Sequence, residues 1–423
     1  MISLLIITLL LVPAYGLKFH LANLPTNLLM VWVFLFWLIF FIYLLQKKQL
    51  GQFLVALKNW SKPILIFTGL FLLAGIVSLF VKGVTLEKLG QFIVLFLQPI
   101  SIFFIAGFIF QKSPATKYYI LNTIYLILAC AGLLAIIQYL TLWGLPQAFW
   151  GNSVEPKRAV SFFIHPNFYA LWSAPLLALL LPDIGQRAKN WKLKIGNWKF
   201  FIAWIMGVIG LILSLSRAGW LGLGAAILVY LIIAADKKIR KLAGVIVIVL
   251  VIVIISMPNL RWRFTLPFYG EKSAVSRISL WETGIKGIKE SPVLGLGLTG
   301  FSNNWGRLNS DPNLDTHNYP HNIFLDLWVE TGLIGLISLI GLIGILIYRG
   351  LRPSPPPLAL RPRAQDRVTR GGYGGEVERS LSHQTIKLSI ALFLICLLTQ
   401  GLIDNPYFKN DLALIFWLVL SLS

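Results

Sequence analysis

Long apolar runs separated by short polar clusters set the pattern of this chain. A helix needs about 20 apolar residues to cross the hydrocarbon core of a bilayer, and about 17 suffice. Twelve stretches meet or approach that length: residues 2–17, 28–45, 63–81, 91–111, 118–143, 167–182, 199–214, 218–235, 242–257, 322–348, 387–403 and 410–423. The first, sixth, seventh and last are short. The N-terminal run lacks the basic flank of a signal peptide, and Pro13 comes late enough to end or kink a helix, so it reads as a retained span. Backbone polar groups inside a bilayer must be paired within the protein. The pattern predicts an all-α polytopic integral membrane protein of about 12 transmembrane helices, with one long external loop carrying an amphipathic helix.

Two connections are long. Residues 258–321 are mixed in charge and rich in Trp, Phe and Asn. Within them Val275, Ile278, Trp281, Ile285 and Ile288 recur at spacings of three, three, four and three. That is one face of an amphipathic helix, lying on the membrane surface or on the bundle. Arg277, four residues before Trp281, borders the stripe and can reach inward, whereas Lys286 falls half a turn away and faces water. Arg277 either snorkels over Trp281 or serves a site; helix geometry leaves both open. Residues 349–386 hold a proline run, several arginines and Gly371-Gly372-Tyr373-Gly374-Gly375, with no apolar period, and read as a disordered cytoplasmic linker. The chain thus divides into nine spans over 1–257, an external loop over 258–321, a span over 322–348, the linker over 349–386 and two spans over 387–423.

Composition narrows the class. Hydrophobic residues make up 57% of the 423 and charged residues 13%, with a mean hydropathy of +0.77. Soluble domains carry about 25% charged residues, so a water-facing fold of this size is excluded. Cys130 and Cys396 both lie in apolar runs, which is neither a disulfide framework nor a zinc site. The net charge of +21 sits between the spans, not in an aromatic-interleaved patch, so it does not indicate nucleic acid. It does set an orientation. A cytoplasmic N-terminus places 23 Lys and Arg inside and 14 outside, seven of the latter in the long 258–321 loop.

Several motifs on the outer side bear on chemistry. Gly295-Leu296-Gly297-Leu298-Thr299-Gly300 spells a dinucleotide pattern but follows no strand, and reads as a turn. His317 and His321 are four apart, yet Pro320 disfavours a continuous helix between them and no ligand set is complete with Asp311 and Asp315, so no metal site is assigned. His321 stands at the outer mouth of the 322–348 span, where an interfacial histidine hydrogen-bonded to water is the plainer reading, and Asn322 is a natural N-cap. Arg217 begins a helix in which Gly219, Gly222 and Ala226 line one face for close packing, and Ser216 can cap it. An arginine so placed points into the bundle and is a functional candidate. His165-Pro166-Asn167 leads into the short span at 167–182, which could be re-entrant; His165 reads as a loop histidine capping that helix. Arginine binds two phosphate oxygens at once, and histidine takes a proton from a hydroxyl near neutral pH. Outside the cytoplasm there are no sugar nucleotides, so the activated donor such a set serves is a lipid-linked pyrophosphate. Arg158 and Asn322 are supporting candidates, and no cofactor is called for.

The chain resembles the O-antigen ligase and O-antigen polymerase superfamily of bacterial membrane proteins over roughly residues 150–423. Three stretches carry the resemblance: Ser214-Leu215-Ser216-Arg217-Ala218-Gly219-Trp220-Leu221-Gly222, Ser276-Arg277-Ile278-Ser279-Leu280-Trp281, and His321-Asn322-Ile323-Phe324-Leu325-Asp326-Leu327-Trp328-Val329-Glu330-Thr331-Gly332 and onward. His165-Pro166-Asn167 and Gly401-Leu402-Ile403-Asp404-Asn405-Pro406 are similar to motifs of some members. The resemblance implies an inverting, metal-independent glycosyltransferase of the cytoplasmic membrane, active on its external face. Its partners are then a polyprenyl-pyrophosphate-linked glycan and an acceptor lipid or glycan. It implies donor pyrophosphate binding by Arg217 and Arg277 and activation of the acceptor hydroxyl by His321. The linker at 349–386 is a departure, and the first 150 residues match little. The superfamily also includes cyanobacterial proteins described as bicarbonate transporters, and a small-anion transporter is the alternative. Transport needs paired charges near the midplane. Asp326 and Glu330 are the main acids within the spans, and the arginines cluster at one face.

Overall fold

The computed structural model describes residues 1–21, 24–152, 156–189, 197–234, 256, 272–309, 315, 317–352 and 382–423. The chain opens with α1 (Ile2–Leu11), which tightens at Val12–Gly16 where Pro13 enters, then forms a short hairpin of β1 (Lys18–Leu21) and β2 (Leu24–Asn27). That hairpin is the one sheet among the described residues. Asn27 caps α2 (Leu28–Gln46), its side chain accepting from the Met30 N–H at 2.9 Å. A short α3 (Leu50–Lys58) leads to α4 (Lys62–Phe80), and α5 (Leu86–Phe92) runs through one π turn into α6 (Gln98–Lys112). Then follow α7 (Thr116–Thr141), α8 (Pro166–Lys189), α9 (Trp198–Leu213) and α10 (Arg217–Ala234). The loop region holds α11 (Lys272–Glu290) and the single turns α12 (Gly300–Asn303) and α13 (Trp305–Leu308). The chain finishes with α14 (Ile323–Leu351), α15 (His383–Gly401) and α16 (Asn410–Leu420).

Seven of these helices are long and apolar enough to cross a membrane: α2, α4, the continuous α5–α6, α7, α8, α14 and α15. Four more of the expected spans, at the N-terminus and at α9, α10 and α16, are helical but shorter. The expected span at 242–257 lies outside the described residues except for Ser256, as do residues 353–381 of the expected linker. One stretch is longer than its sequence suggests. The 167–182 run is not re-entrant; α8 continues through Pro175 and Pro182 to Lys189 and is among the most buried helices. Proline ends helices in water but is tolerated in a packed bundle where neighbours satisfy the freed carbonyl.

Helices in lipid gain little from hiding apolar surface against each other, so close contact through small residues holds them. A Cβ on Gly222 would lie 2.9 Å from the Cys396 carbonyl of α15, and one on Gly219 would lie 2.9 Å from Ala170 Cβ of α8. Ala226 on the same face is buried. The expected small-residue face of α10 is therefore a real seam, and it draws α8, α10 and α15 together. A second aromatic core of Phe71, Phe96, Tyr407 and Trp417 ties α4, the π turn and α16; the Phe71 and Phe96 ring centroids are 4.8 Å apart.

The amphipathic helix exists, but its buried face is shifted from the expected stripe. Leu280, Thr283, Gly284, Gly287 and Ile288 turn inward, while Ile278 and Ile285 are exposed. Packing is set by the small residues: Gly284 meets Pro320 and Leu325, and Gly287 meets Leu296. The glycine string that follows is a turn, as expected, with Gly295 at φ +72° and Gly297 at φ +85°. It docks into a break in α14 at Gly332, where φ is +66° and ψ is −172°. A regular helix would pair the Leu333 N–H with the Val329 carbonyl. Here Leu333 donates to Val293 at 3.1 Å, and Val329 accepts from Leu296 at 2.6 Å. The strap 293–296 thus inserts itself into one rung of the helix.

Candidate active site

Asn322 starts α14. Its side-chain oxygen accepts from the N–H groups of Phe324 at 3.0 Å and Leu325 at 3.1 Å, the N-cap expected from sequence. The preceding residue, His321, sits at φ +50°, in the left-handed region. Its Nδ1 lies 2.9 Å from Oδ1 of Asp404. Asp404 belongs to the turn between α15 and α16, and its side chain is only 2% exposed, against 23% for His321. Burial pushes the Asp404 carboxyl upward. The hydrogen bond and charge of His321, the Asn405 N–H and the charge of Arg277 outweigh that and hold it below the usual carboxylate range.

An ionised carboxylate only accepts hydrogen bonds. Nδ1 of His321 must therefore carry the hydrogen and donate it, which leaves Nε2 as the basic nitrogen of the neutral ring. The same turn is gripped twice more. Asn322 Nδ2 donates to the Leu402 carbonyl at 3.1 Å, and Arg277 Nε donates to the Ile403 carbonyl at 3.0 Å. Arg277 does reach inward from α11, as its helical position suggested, while Lys286 is exposed.

Arg217 is half-buried at the start of α10. Because Gly222 packs on Cys396 and Gln400, and the two helices run oppositely there, Arg217 lies at the end of the bundle that holds the 402–404 turn. Arg158 is tied to the turn before Arg217: its Nε donates to the Ser214 carbonyl at 3.0 Å, and a terminal nitrogen donates to Asn167 Oδ1 at 2.7 Å. His165 caps α8, its Nδ1 accepting from the Asn167 N–H at 3.1 Å. Burial, then the charges of Arg158, Lys409 and His321, push His165 down to about 4, with Asp404 opposing. It is neutral at physiological pH.

These residues surround a cavity of about 720 Å³ lined by His165, Asn167, Tyr319, His321, Asp404 and Lys409, with Asp326 and Glu330 at its inner side. Arg158, Arg217 and Arg277 are not on its lining. The Lys409 ammonium lies over the ring of Phe168 and 6.0 Å from that of Tyr319. His317 and His321 have ring centroids 5.9 Å apart at 70°, an edge-to-face contact. Glu330 accepts from the Phe301 N–H at 2.9 Å, and Asp326 accepts from Asn405 Nδ2.

The sequence singles out no catalytic role for Asp404 or Lys409, and marks Asp326 and Glu330 only as the main acids within the spans. The signal for Asp404 was its place in Gly401–Pro406, a polar pair closing an apolar span. Its partner lies 83 residues away, beyond any local spacing rule.

Residues 201–340 match the O-antigen ligase family model. That match supports the superfamily read from the sequence, whose members are glycosyltransferase-like enzymes with lipid-linked glycan and acceptor substrates. Arg217, Arg277, His321 and Asn322 fall within the matched O-antigen ligase residues; Arg158, His165 and Asp404 fall outside them. A comparison with curated proteins gives no match.

Proposed function

We propose that the chain is an O-antigen ligase-like glycosyltransferase that moves a glycan from a polyprenyl-pyrophosphate donor to an acceptor hydroxyl, on the outer face of a bacterial cytoplasmic membrane. His321 Nε2 takes the acceptor proton as the oxygen attacks the anomeric carbon, opposite the departing pyrophosphate, so configuration inverts. Asp404 holds the ring and stabilises the imidazolium that forms. Arg217 and Arg277 bind the pyrophosphate and take up the charge that develops as the sugar–oxygen bond breaks, without a metal ion. Arg158 and Asn322 position the turns that carry Arg217 and Asp404.

The observation that carries this reading is the His321–Asp404 pair opening on a large cavity, in a chain that matches O-antigen ligase. The test is transfer in proteoliposomes with a defined polyprenyl-pyrophosphate glycan and a panel of acceptors, in EDTA. Acceptor-linked glycan and free polyprenyl pyrophosphate should appear together in equal amounts. Loss of activity in EDTA, restored by a divalent ion, would overturn the metal-independent account; no product with any acceptor would overturn the transferase.

A further inference from the structure

The far end of α14 carries a second polar region. At 1.5 Å per residue its 29 residues span about 40 Å, so Arg349 and Arg352 sit one bilayer thickness from His321. Several helix ends meet there. Asn59 after α3 donates to Gln111 at 3.1 Å, Arg349 donates to Ser61 Oγ at 2.7 Å, and Gln384 at the start of α15 donates to the Arg352 carbonyl at 2.7 Å. These contacts leave two adjoining cavities of about 710 and 540 Å³, which share Asn59, Trp60, His383 and Ser423 on their walls. Lys117 lines the first; Arg349, Arg352 and Lys387 line the second. Among the described lining residues there is no Asp or Glu to offset these four cations.

The inner walls are apolar. The Trp60 ring fills the space over Gly107 and lies 4.2 Å, centroid to centroid, from Phe103; Phe110, Ile64 and Ile390 complete the floor. Cations at the rim, tryptophan at the level of the helix ends and apolar walls beneath reproduce the polarity gradient of a phospholipid from phosphate to acyl chain. A free inorganic anion has no use for the apolar part.

We infer that these paired cavities bind an acidic phospholipid, with its phosphate among Lys117, Arg349 and Lys387 and its acyl chains against Trp60 and Ile64. The site is independent of the reaction at the His321 end. It fits a lipid of the leaflet on that side and lets headgroup charge clamp α6–α7, α14 and α15 together.

The test uses the full chain in a neutral detergent. Melting temperature and native mass spectra are followed with phosphatidylglycerol, phosphatidylcholine or inorganic phosphate. Phosphatidylglycerol should raise the melting temperature and remain bound, and phosphatidylcholine should do neither at the same concentration. A chain with Lys117→Gln, Arg349→Gln and Lys387→Gln should lose affinity by about fivefold per charge removed. Arg352→Gln alone, an exposed change, gives the same direction if the triple variant does not fold. Equal effects of the two lipids, or an equal effect of inorganic phosphate, would overturn the assignment. So would phosphatidylglycerol binding that appears only once residues 353–381 are deleted, which would give the cavities to that segment.

Discussion

At the His321 end, charged side chains are spent on one another and on backbone. His321 faces Asp404, Arg277 holds the Ile403 carbonyl, and Arg158 holds Ser214 and Asn167. At the Arg349 end, Arg349 and Lys117 also hold Ser61 Oγ and the Leu422 carbonyl, but the four cations face two cavities with no Asp or Glu among the described wall residues. Both ends are polar caps on the same bundle, and both are built where helix ends leave backbone groups to satisfy. The difference is pairing with an acid. A group that must move a proton needs one tautomer and one orientation, which paired partners provide; a group that attracts a headgroup needs only charge at the right depth. Counting Lys and Arg finds the second kind of end readily and underrates the first, because pairing hides its charge.

The comparison breaks outright if the two ends lie on the wrong sides. With Cys130 and Cys396 replaced, Lys289→Cys should react with an impermeant thiol reagent added to intact cells and Lys47→Cys should not; both positions are exposed. Reversed labelling would put the His321 cavity in the cytoplasm. On the right side, His321→Ala should lower transfer by about 10²–10⁴-fold while donor binding persists. Asp404→Asn should approach the same loss, since it removes the acceptor that sets the tautomer. His165→Gln separates the two histidines on the cavity. His165 titrates near 4, so an acid limb of the rate profile well above that value belongs to another group and should survive this change. Wild-type rates for His321→Ala in folded protein would remove it from the chemistry.

Arg277→Ala should cost about 10²-fold in kcat/KM, with Arg277→Lys recovering only part, because an ammonium cannot make the planar two-oxygen contact. An effect confined to stability would make Arg277 a clamp on the 402–404 turn and nothing more. The smallest effect concerns the scaffold. A Cβ on Gly332 would lie 2.1 Å from the Val293 carbonyl at a φ of +66°, whereas one on Gly344 meets nothing within 4 Å. Gly332→Ala should therefore cost about 3 kcal/mol of stability and Gly344→Ala essentially none, as read by thermal unfolding in detergent.

Much of the bundle was legible in the order of residues. Apolar runs marked the helices, Asn322 marked a cap, and Gly219, Gly222 and Ala226 marked a seam, because each of these acts within a few residues of itself. Pro182 misled on the length of α8, since a bundle interior tolerates what water does not. The stripe on α11 misled on its packed face, since in lipid the small side chains Gly284 and Gly287 decide contact more than the large ones. The residues brought forward from sequence as the site were single; their partners were not visible. Asp404 reaches His321 because Gly401 packs closely on Ile323 and Asn322 holds the Leu402 carbonyl, which brings two distant turns together.

The break at Gly332 also bears on how the chain is made. Before residues 293–296 arrive, the Val329 carbonyl and the Leu333 N–H have no partner in this conformation, and two such groups left in hydrocarbon cost several kcal/mol each. The helix that starts beside His321 therefore cannot settle at full depth in its final shape ahead of the loop preceding it. During synthesis the loop emerges first, and the helix it completes follows it. Biogenesis of this end is an order of arrival, in which a soluble-looking segment supplies the last rung of a membrane helix.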